Sequence, residues 1–356
     1  GKLTSVVAYV VVEAGAFPGA SIGIAKTMFG AYDVPNGRID HYEVVVNKAK
    51  SGPYRAPGST QATFAAESVI DEICEQIGME PMEFRLKNAA SEGTRSLSGQ
   101  VYRRIGFSET MQAAMAHEHY LAPLGGPNRG RGAAVGYWGN GGGVSSCILN
   151  VNGDGSISLT SGSIDLAGTR TSIAMQVAEA LEIGFNSVRC DVSDTDSVGY
   201  TFVSGGSRTA FATGISAIDA AQKAIRQMKA RAAMLWQVAP DAVSYANGVF
   251  ATSVDPISGI TRQLSFKEVA AKLPVTGGPI SVSSSVVPPG VGPTIGAHIV
   301  DVEVDPETGK VQILRYTAVQ DAGKAIHPSL VEGQMHGGVV QGVGWALWEG
   351  YQYDGY

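Results

Sequence analysis

Apolar and polar positions along this chain fall into short blocks that switch between strand and helix periods. Val6–Val12 is a β-branched run and Tyr42–Val46 a second one, with turn residues AYDVPNG between them, so both predict strands. Ser59 to Ile77 predicts the clearest helix, because Ala62, Ala65, Val69, Ile73 and Ile77 recur at helical spacing and Gly78 supplies a stop. A short second helix begins near Pro81 and runs through Phe84 and Leu86 to Asn88, and residues 92–100 read as a polar loop. The stretch from Gly125 to Gly143, GGPNRGRGAAVGYWGNGGG, reads as a glycine-rich connector and sets the expected division into a first part at 1–124 and a second at 125–356.

Beyond the connector, Ser146–Asn152 and Ser156–Ser161 flank NGDG and predict a hairpin. Thr171–Leu181 reads as a helix with Ile173, Val177 and Leu181 on one face, Val188–Val192 as a strand, and Gly214–Trp236 as a long alanine-rich helix. VSYANGVF is a further hairpin signal. Ala297–Val304 and Val311–Val319 alternate around DPETGK as an antiparallel pair, and Ser329–Glu349 reads as a last, glycine-bearing helix. The blocks predict an α+β chain of two mixed α/β subdomains.

Composition narrows the classes. The 356 residues are 44% hydrophobic and 16% charged, enough apolar surface for ordered domains. A net charge of −6 argues against a partner bound by phosphate neutralisation, so no nucleic acid is expected. Cys74, Cys147 and Cys190 lie far apart and form no CxxC pair, which argues against a disulfide framework or a zinc or iron–sulfur site built from this chain alone. No apolar run reaches the ~18 residues of a membrane-spanning helix. The chain opens inside a strand pattern without a methionine and stops just after a helical one, so both ends read as cut from a longer polypeptide.

The 46 glycines are scattered in short clusters, and several fall in loops just ahead of helices. GPYRAPGSTQ precedes the 59–77 helix, DLAGTRT the 171–181 helix and SGGSRT the 214–236 helix, while EGQMHGG lies inside the last one. There is no P-loop, GxGxxG, HExxH or GxSxG. A helix N-terminus offers free N–H groups and partial positive charge, glycine admits an anion closely, and Ser or Thr adds hydroxyls. The ordinary reading of any one such loop is a helix cap. Arg55, Arg170 and Arg208 inside three of them favour an anionic, many-armed ligand for the set. His117 and His119 do not share a helix face and read as complements to a helix C-terminus. His298 and His327 read as structural. Glu67, Asp71 and Glu72 read as a solvated helix face.

These loops carry a resemblance. SGPYRAPGSTQATFAAESVIDEICEQIGMEPMEFRLKN, with Gln61 and a G-x-x-P-x-E-x-R-x-x-N ending, resembles a stretch of the large subunits of the xanthine oxidase family of molybdenum hydroxylases. The resemblance continues through GSIDLAGTRTSIAMQVAEALEI, DVSDTDSVGYTFVSGGSRTAFATG and VQDAGKAIHPSLVEGQMHGGVVQGVGWALWE, in family order. It implies the molybdenum-cofactor-binding domain of the xanthine/aldehyde oxidase type and a molybdopterin cytosine dinucleotide. By this resemblance Arg55 lies near the metal, Gly168 and Thr169 approach its apical face, Gly205, Gly206, Ser207 and Thr209 hold the pterin and its phosphates, and Gln334 hydrogen-bonds the cofactor. Ala56 and Pro57 then fall in the substrate pocket.

The activity implied is oxidation of an aldehyde or N-heteroaromatic carbon with water-derived oxygen. Electrons would leave through [2Fe-2S] and FAD or haem centres on iron–sulfur and flavin (or cytochrome) partner subunits, in a cytoplasmic complex. Departures shape the expectation. The family's G-Q-G loop is here Ala167-Gly168-Thr169, so Thr169 or Arg170 stands in for the glutamine. Pro57 replaces the phenylalanine of purine oxidases, and Ala56 replaces the cysteine of copper-containing carbon monoxide dehydrogenases. No carboxylate here matches the family's G-x-G-E glutamate, which is expected downstream, on a continuation of this chain or on a companion chain, as a G-G-G-F-G-like loop is expected upstream. A non-catalytic or split cofactor-binding subunit is the alternative reading.

Overall fold

The computed structural model describes residues 1–19, 23–253, 259–288 and 290–354. The chain forms two compact units, one of residues 1–140, 292–325 and 331–356, the other of 141–291 and 326–330. These units differ from the 1–124 and 125–356 division read from the sequence. The cause is strand pairing across the chain. RGRGAAVGYW, expected as connector, is the strand β3 (Arg129–Trp138), which pairs antiparallel with β11 (Thr294–Val304). Ladder bonds to a distant strand outweigh the weak strand preference of its glycines.

In the first unit, β1 (Val6–Gly15) and β2 (Gly37–Val45) pair in parallel, with Val7 opposite Arg38 and Val11 opposite Tyr42. A parallel pair needs a crossover, and α1 (Ile24–Thr27) lies within it. The inner face of the ribbon, Ala8, Val10, Val12 and Ile39, packs with Ile24, Met28, Ala62 and Ala66. Helix α2 (Ser59–Ile77) buries Ala62, Ala66, Ile70 and Cys74, an i, i+4 stripe. The stripe expected through Ala65, Val69 and Ile77 faces outward instead. Two neighbouring apolar rows run along this helix, and the packing partners choose between them.

The chosen row carries Glu67, which is 5% exposed rather than solvated. Its carboxylate accepts from Arg85 Nε (2.7 Å), from the Val135 N–H (2.8 Å) and from the Tyr32 hydroxyl, and Arg85 also donates to Asp71 (2.7 Å). A charge buried at this depth persists only with such partners. Burial first, and Glu67 second, push the Tyr32 phenol well above its ordinary pKa. Around this group pack α3 (Pro81–Lys87), α4 (Phe107–Ala116) and α5 (Glu118–Leu121). The sheet is completed by β12 (Val311–Asp321), antiparallel to β11 around DPETGK as the alternation predicts.

The second unit is built on the sheet β10-β4-β5-β6. β4 (Ser145–Val151) and β5 (Ile157–Ser161) form the expected hairpin, β6 (Val188–Val192) joins β5 in parallel, and β10 (Ile280–Val286) pairs with β4. The crossover from β5 to β6 is α6 (Thr169–Leu181), whose Ile173, Val177 and Leu181 are buried as their spacing requires. Helix α7 (Thr209–Trp236) begins five residues earlier than its alanine pattern suggests and packs on α6, β4 and β10. Its buried alanines, among them Ala217, Ala220, Ala221 and Ala224, let helix and sheet approach closely. A small sheet of β7 (Val243–Ala246), β8 (Val249–Thr252) and β9 (Gln263–Ser265) leads into α8 (Phe266–Ala271), whose Ser265 and Glu268 form a capping box. The last helix, α9 (Pro328–Leu347), has no buried residue among those described.

Candidate functional site: backbone loops at helix starts

The glycine loops are not the side-chain caps that their serines and threonines suggest. The residues preceding α2, α6 and α7 are Gly58, Gly168 and Arg208, and none of these three caps its helix through a side chain. Each loop instead holds a non-glycine residue at positive φ: Ala56 (53°), Ala167 (52°) and Ser207 (60°), accompanied by Gly58 (81°), Gly168 (74°) and Gly206 (74°). Left-handed backbone costs an alanine or serine about 1 kcal/mol. Runs of such residues turn successive N–H groups toward one side and form concave anion sites. The three loops thus share one backbone device, a left-handed turn ahead of a helix, and at α6 the first-turn Arg170 N–H is taken by the Asp165 carboxylate.

In the second unit this device has a second wall. The Gly141 N–H donates to the Gly206 carbonyl, which brings the 141–145 segment beside 202–208. Arg208, 1% exposed, staples the two together. Its Nε donates to Gly142 O (2.7 Å), its Nη1 to Phe202 O (2.9 Å), and its Nη2 to Gly143 O (3.0 Å), Val144 O (2.8 Å) and Ser145 Oγ (2.6 Å). No carboxylate is among these partners, and desolvation lowers the guanidinium pKa from its ordinary value. The arginine taken from the sequence as a possible anion ligand is therefore spent on carbonyls and sets the loop shape from beneath. Around it, 141–145 and 202–209 carry no Asp or Glu. A Cβ on Gly205 would meet open space, and one on Gly141 would come within 3.0 Å of Gly206 O.

The 165–170 loop in the same unit is tied locally. Thr169 Oγ1 accepts from the Leu166 N–H (3.2 Å), and Asp165 accepts from the Arg170 N–H (3.1 Å). Arg170 Nε donates to Cys190 O (3.0 Å), and its Nη2 lies 3.6 Å from Asp191. Gly168 stands at φ 74°, a backbone that favours glycine, and a Cβ there would fall 2.6 Å from the Leu330 side chain, which would have to shift.

In the first unit the structure brings together two residues that the sequence named separately. Arg55 Nη2 donates to the Gln334 backbone carbonyl (3.1 Å) and to its Oε1 (2.8 Å), and Nη1 donates to Gln341 Oε1 (3.3 Å). Gln341 and Gly337 were missed by the sequence reading. Their i+7 and i+3 spacing from Gln334 is the signal that marks a shared helix face. Ala56 and Pro57 follow Arg55 at half-exposed positions.

The remaining candidates resolve into structural roles. His117 stands at the C-terminus of α4, as its position predicts, and also caps the start of α5, accepting the His119 N–H on Nδ1 (3.1 Å). His119 is buried, with Nδ1 2.8 Å from Thr317 Oγ1 and Nε2 3.2 Å from Asp301 Oδ2. His298 Nδ1 lies 3.1 Å from the Tyr316 hydroxyl. Asp194 is held below the usual carboxylate range by the Ser197 hydroxyl and then the Asp196 N–H, which makes it a weak base. Among the described residues no three His, Cys, Asp or Glu side chains gather as a metal site, and no helix is long and apolar enough to cross a membrane.

A mixed α+β chain whose glycine loops offer backbone donors to an anionic group defines the class. The family description "Molybdopterin cofactor-binding domain" matches residues 58–356, and a second model of the same description matches residues 1–89. The chain belongs to this family of molybdopterin cofactor-binding domains. It is 28% identical to the nicotine 6-hydroxylase large subunit of Paenarthrobacter nicotinovorans, over 99% of this chain and 48% of that protein. It is 30% identical to a putative xanthine dehydrogenase molybdenum-binding subunit of Escherichia coli (strain K12), over 85% of this chain and 42% of that protein. Its fold matches reconstituted carbon monoxide dehydrogenase from Oligotropha carboxidovorans with a TM-score of 0.85 at 22% identity, over 99% of this chain and 49% of that one. The chain spans about half the length of these relatives.

Proposed function

We propose that this chain is the cofactor-holding portion of a molybdenum hydroxylase large subunit, which oxidises an aldehyde or N-heteroaromatic substrate with water-derived oxygen. The observation that carries the reading is the acid-free cradle of 141–145 and 202–209, stapled by Arg208 ahead of α7. Its donor set fits the molybdopterin group: neutral N–H groups and hydroxyls for an anionic ligand, on a loop whose shape the buried Arg208 sets through backbone carbonyls. Gly205, Gly206, Ser207 and Thr209 would hold the pterin and its phosphates. Gly168 and Thr169 would approach the metal, Gln334 would contact the cofactor with Arg55 beside it, and Ala56 and Pro57 would lie beside the substrate. We propose the cytosine dinucleotide form of the cofactor, [2Fe-2S] and FAD or haem on partner subunits, and a cytoplasmic complex. When bound, the cofactor supplies two-electron oxidation with oxygen derived from water.

The chain's own residues contribute preorganisation. The loops are set before the ligand arrives, because Arg208 and the positive-φ backbone fix the N–H directions. The test is metal and nucleotide analysis of the purified complex, followed by assays on aldehydes, purines and pyridines. Molybdenum with released CMP supports the proposal. A complex with neither molybdenum nor tungsten overturns it.

A further inference from the structure

Gln334, Gly337 and Gln341 occupy positions i, i+3 and i+7 of α9, so they line one face. Arg55 lies along that face, donating to the first and last members. Gly337 makes room for it, since a Cβ there would sit 3.3 Å from Arg55 Nη1. A guanidinium has only donors, so the Gln334 amide must turn its oxygen to Arg55. Its Nε2 then points away and offers both N–H groups to an acceptor. Freed from Arg55, the terminal amide torsion is roughly two-fold and would present oxygen as readily as nitrogen.

We propose that Arg55 is a positioning residue that acts through Gln334, fixing its amide as a donor toward the cofactor, with Gln341 and Gly337 completing the seat for the guanidinium. This rests on the functional reading above and replaces a direct contact of Arg55 with the metal. Gln334→Glu separates the two jobs of the side chain. It keeps an acceptor for Arg55, as a charge-assisted pair, but has no N–H to give.

The experiment purifies the complex carrying wild-type, Arg55→Ala, Gln334→Ala, Gln334→Glu and the double Arg55→Ala/Gln334→Ala chains. Each is measured for molybdenum per chain, for fluorescence of the oxidised pterin and for thermal midpoint. In Gln334→Glu the midpoint is expected to hold or rise while both contents fall about tenfold, the loss of one strong hydrogen bond. The double variant is expected to hold no less cofactor than Gln334→Ala alone. Full content in Gln334→Glu would reduce the arrangement to a structural clamp and overturn the inference. Additive losses in the double variant would overturn it too, because Arg55 would then act independently of Gln334. A wild-type complex without molybdenum and pterin overturns the functional reading itself, a result separate from a loaded wild type beside a loaded Gln334→Glu.

Discussion

Replacing Arg208 with methionine keeps an unbranched side chain in the same space but removes every donor of the staple. Five acceptors lose close partners: the carbonyls of Gly142, Gly143, Val144 and Phe202, and the Ser145 hydroxyl. Gly142 and Phe202 are exposed and can turn to water, whereas Ser145 is buried and Gly143 and Val144 are half-buried. Val144 O keeps the Phe202 N–H (2.9 Å) and Ser145 Oγ keeps the Thr213 hydroxyl (3.2 Å), so Gly143 O is the half-buried acceptor stripped of its donor, and that predicts a loss of about 1–2 kcal/mol, softened by relief of the desolvated charge. For a cooperative unit of this size that is a fall of about 2–8 °C in the melting temperature. Arg208→Lys should lie between, because an ammonium has three donors and no fork. Thermal unfolding followed by circular dichroism gives the magnitude, and amide exchange at 142–145 shows whether the loop has opened. A shift below about 2 °C with unchanged exchange at these amides would refute the staple.

Gly206→Val should strain a backbone at φ 74°, fill the cradle beside Gly141, and leave the purified complex deficient in molybdenum; normal metal content counts against the cradle. Arg131 first, then Arg315 and His119, hold the buried Asp301 carboxyl well below the usual range. Its folded pKa is therefore depressed below an unfolded value of ~3.9, so its stabilisation is present above about pH 4 and lost as the pH falls toward the folded value. Asp301→Asn should cost about 3 kcal/mol in urea unfolding at pH 7 by leaving the arginines unpaired. That difference should shrink as the pH falls below about 4. Burial pushes the Cys147 thiol up to about 11 and the Cys190 thiol up to about 12. Both should resist iodoacetamide at pH 8 in the folded chain and react on unfolding, with the labelled fraction read by mass spectrometry; rapid labelling in native buffer would contradict the buried assignment.

The local elements were largely written in the sequence. Period-2 runs and turn dipeptides located β4–β5, β7–β8 and β11–β12, and the stripe of Ile173, Val177 and Leu181 located α6, because these signals act between near neighbours. The order of loop motifs along the chain was enough to indicate the cofactor family. Three things needed the tertiary structure. Glycine-rich β3 became a strand only because β11, more than 150 residues away, supplies its ladder. Glu67 looked solvated until Arg85, Tyr32 and Val135 met it inside the first unit. The three loop arginines also looked alike in sequence. Folding spent Arg208 on carbonyls, tied Arg170 to Cys190, and laid Arg55 across Gln334 and Gln341. A sequence fixes which donors a side chain carries, but burial and long-range geometry decide which acceptors they reach.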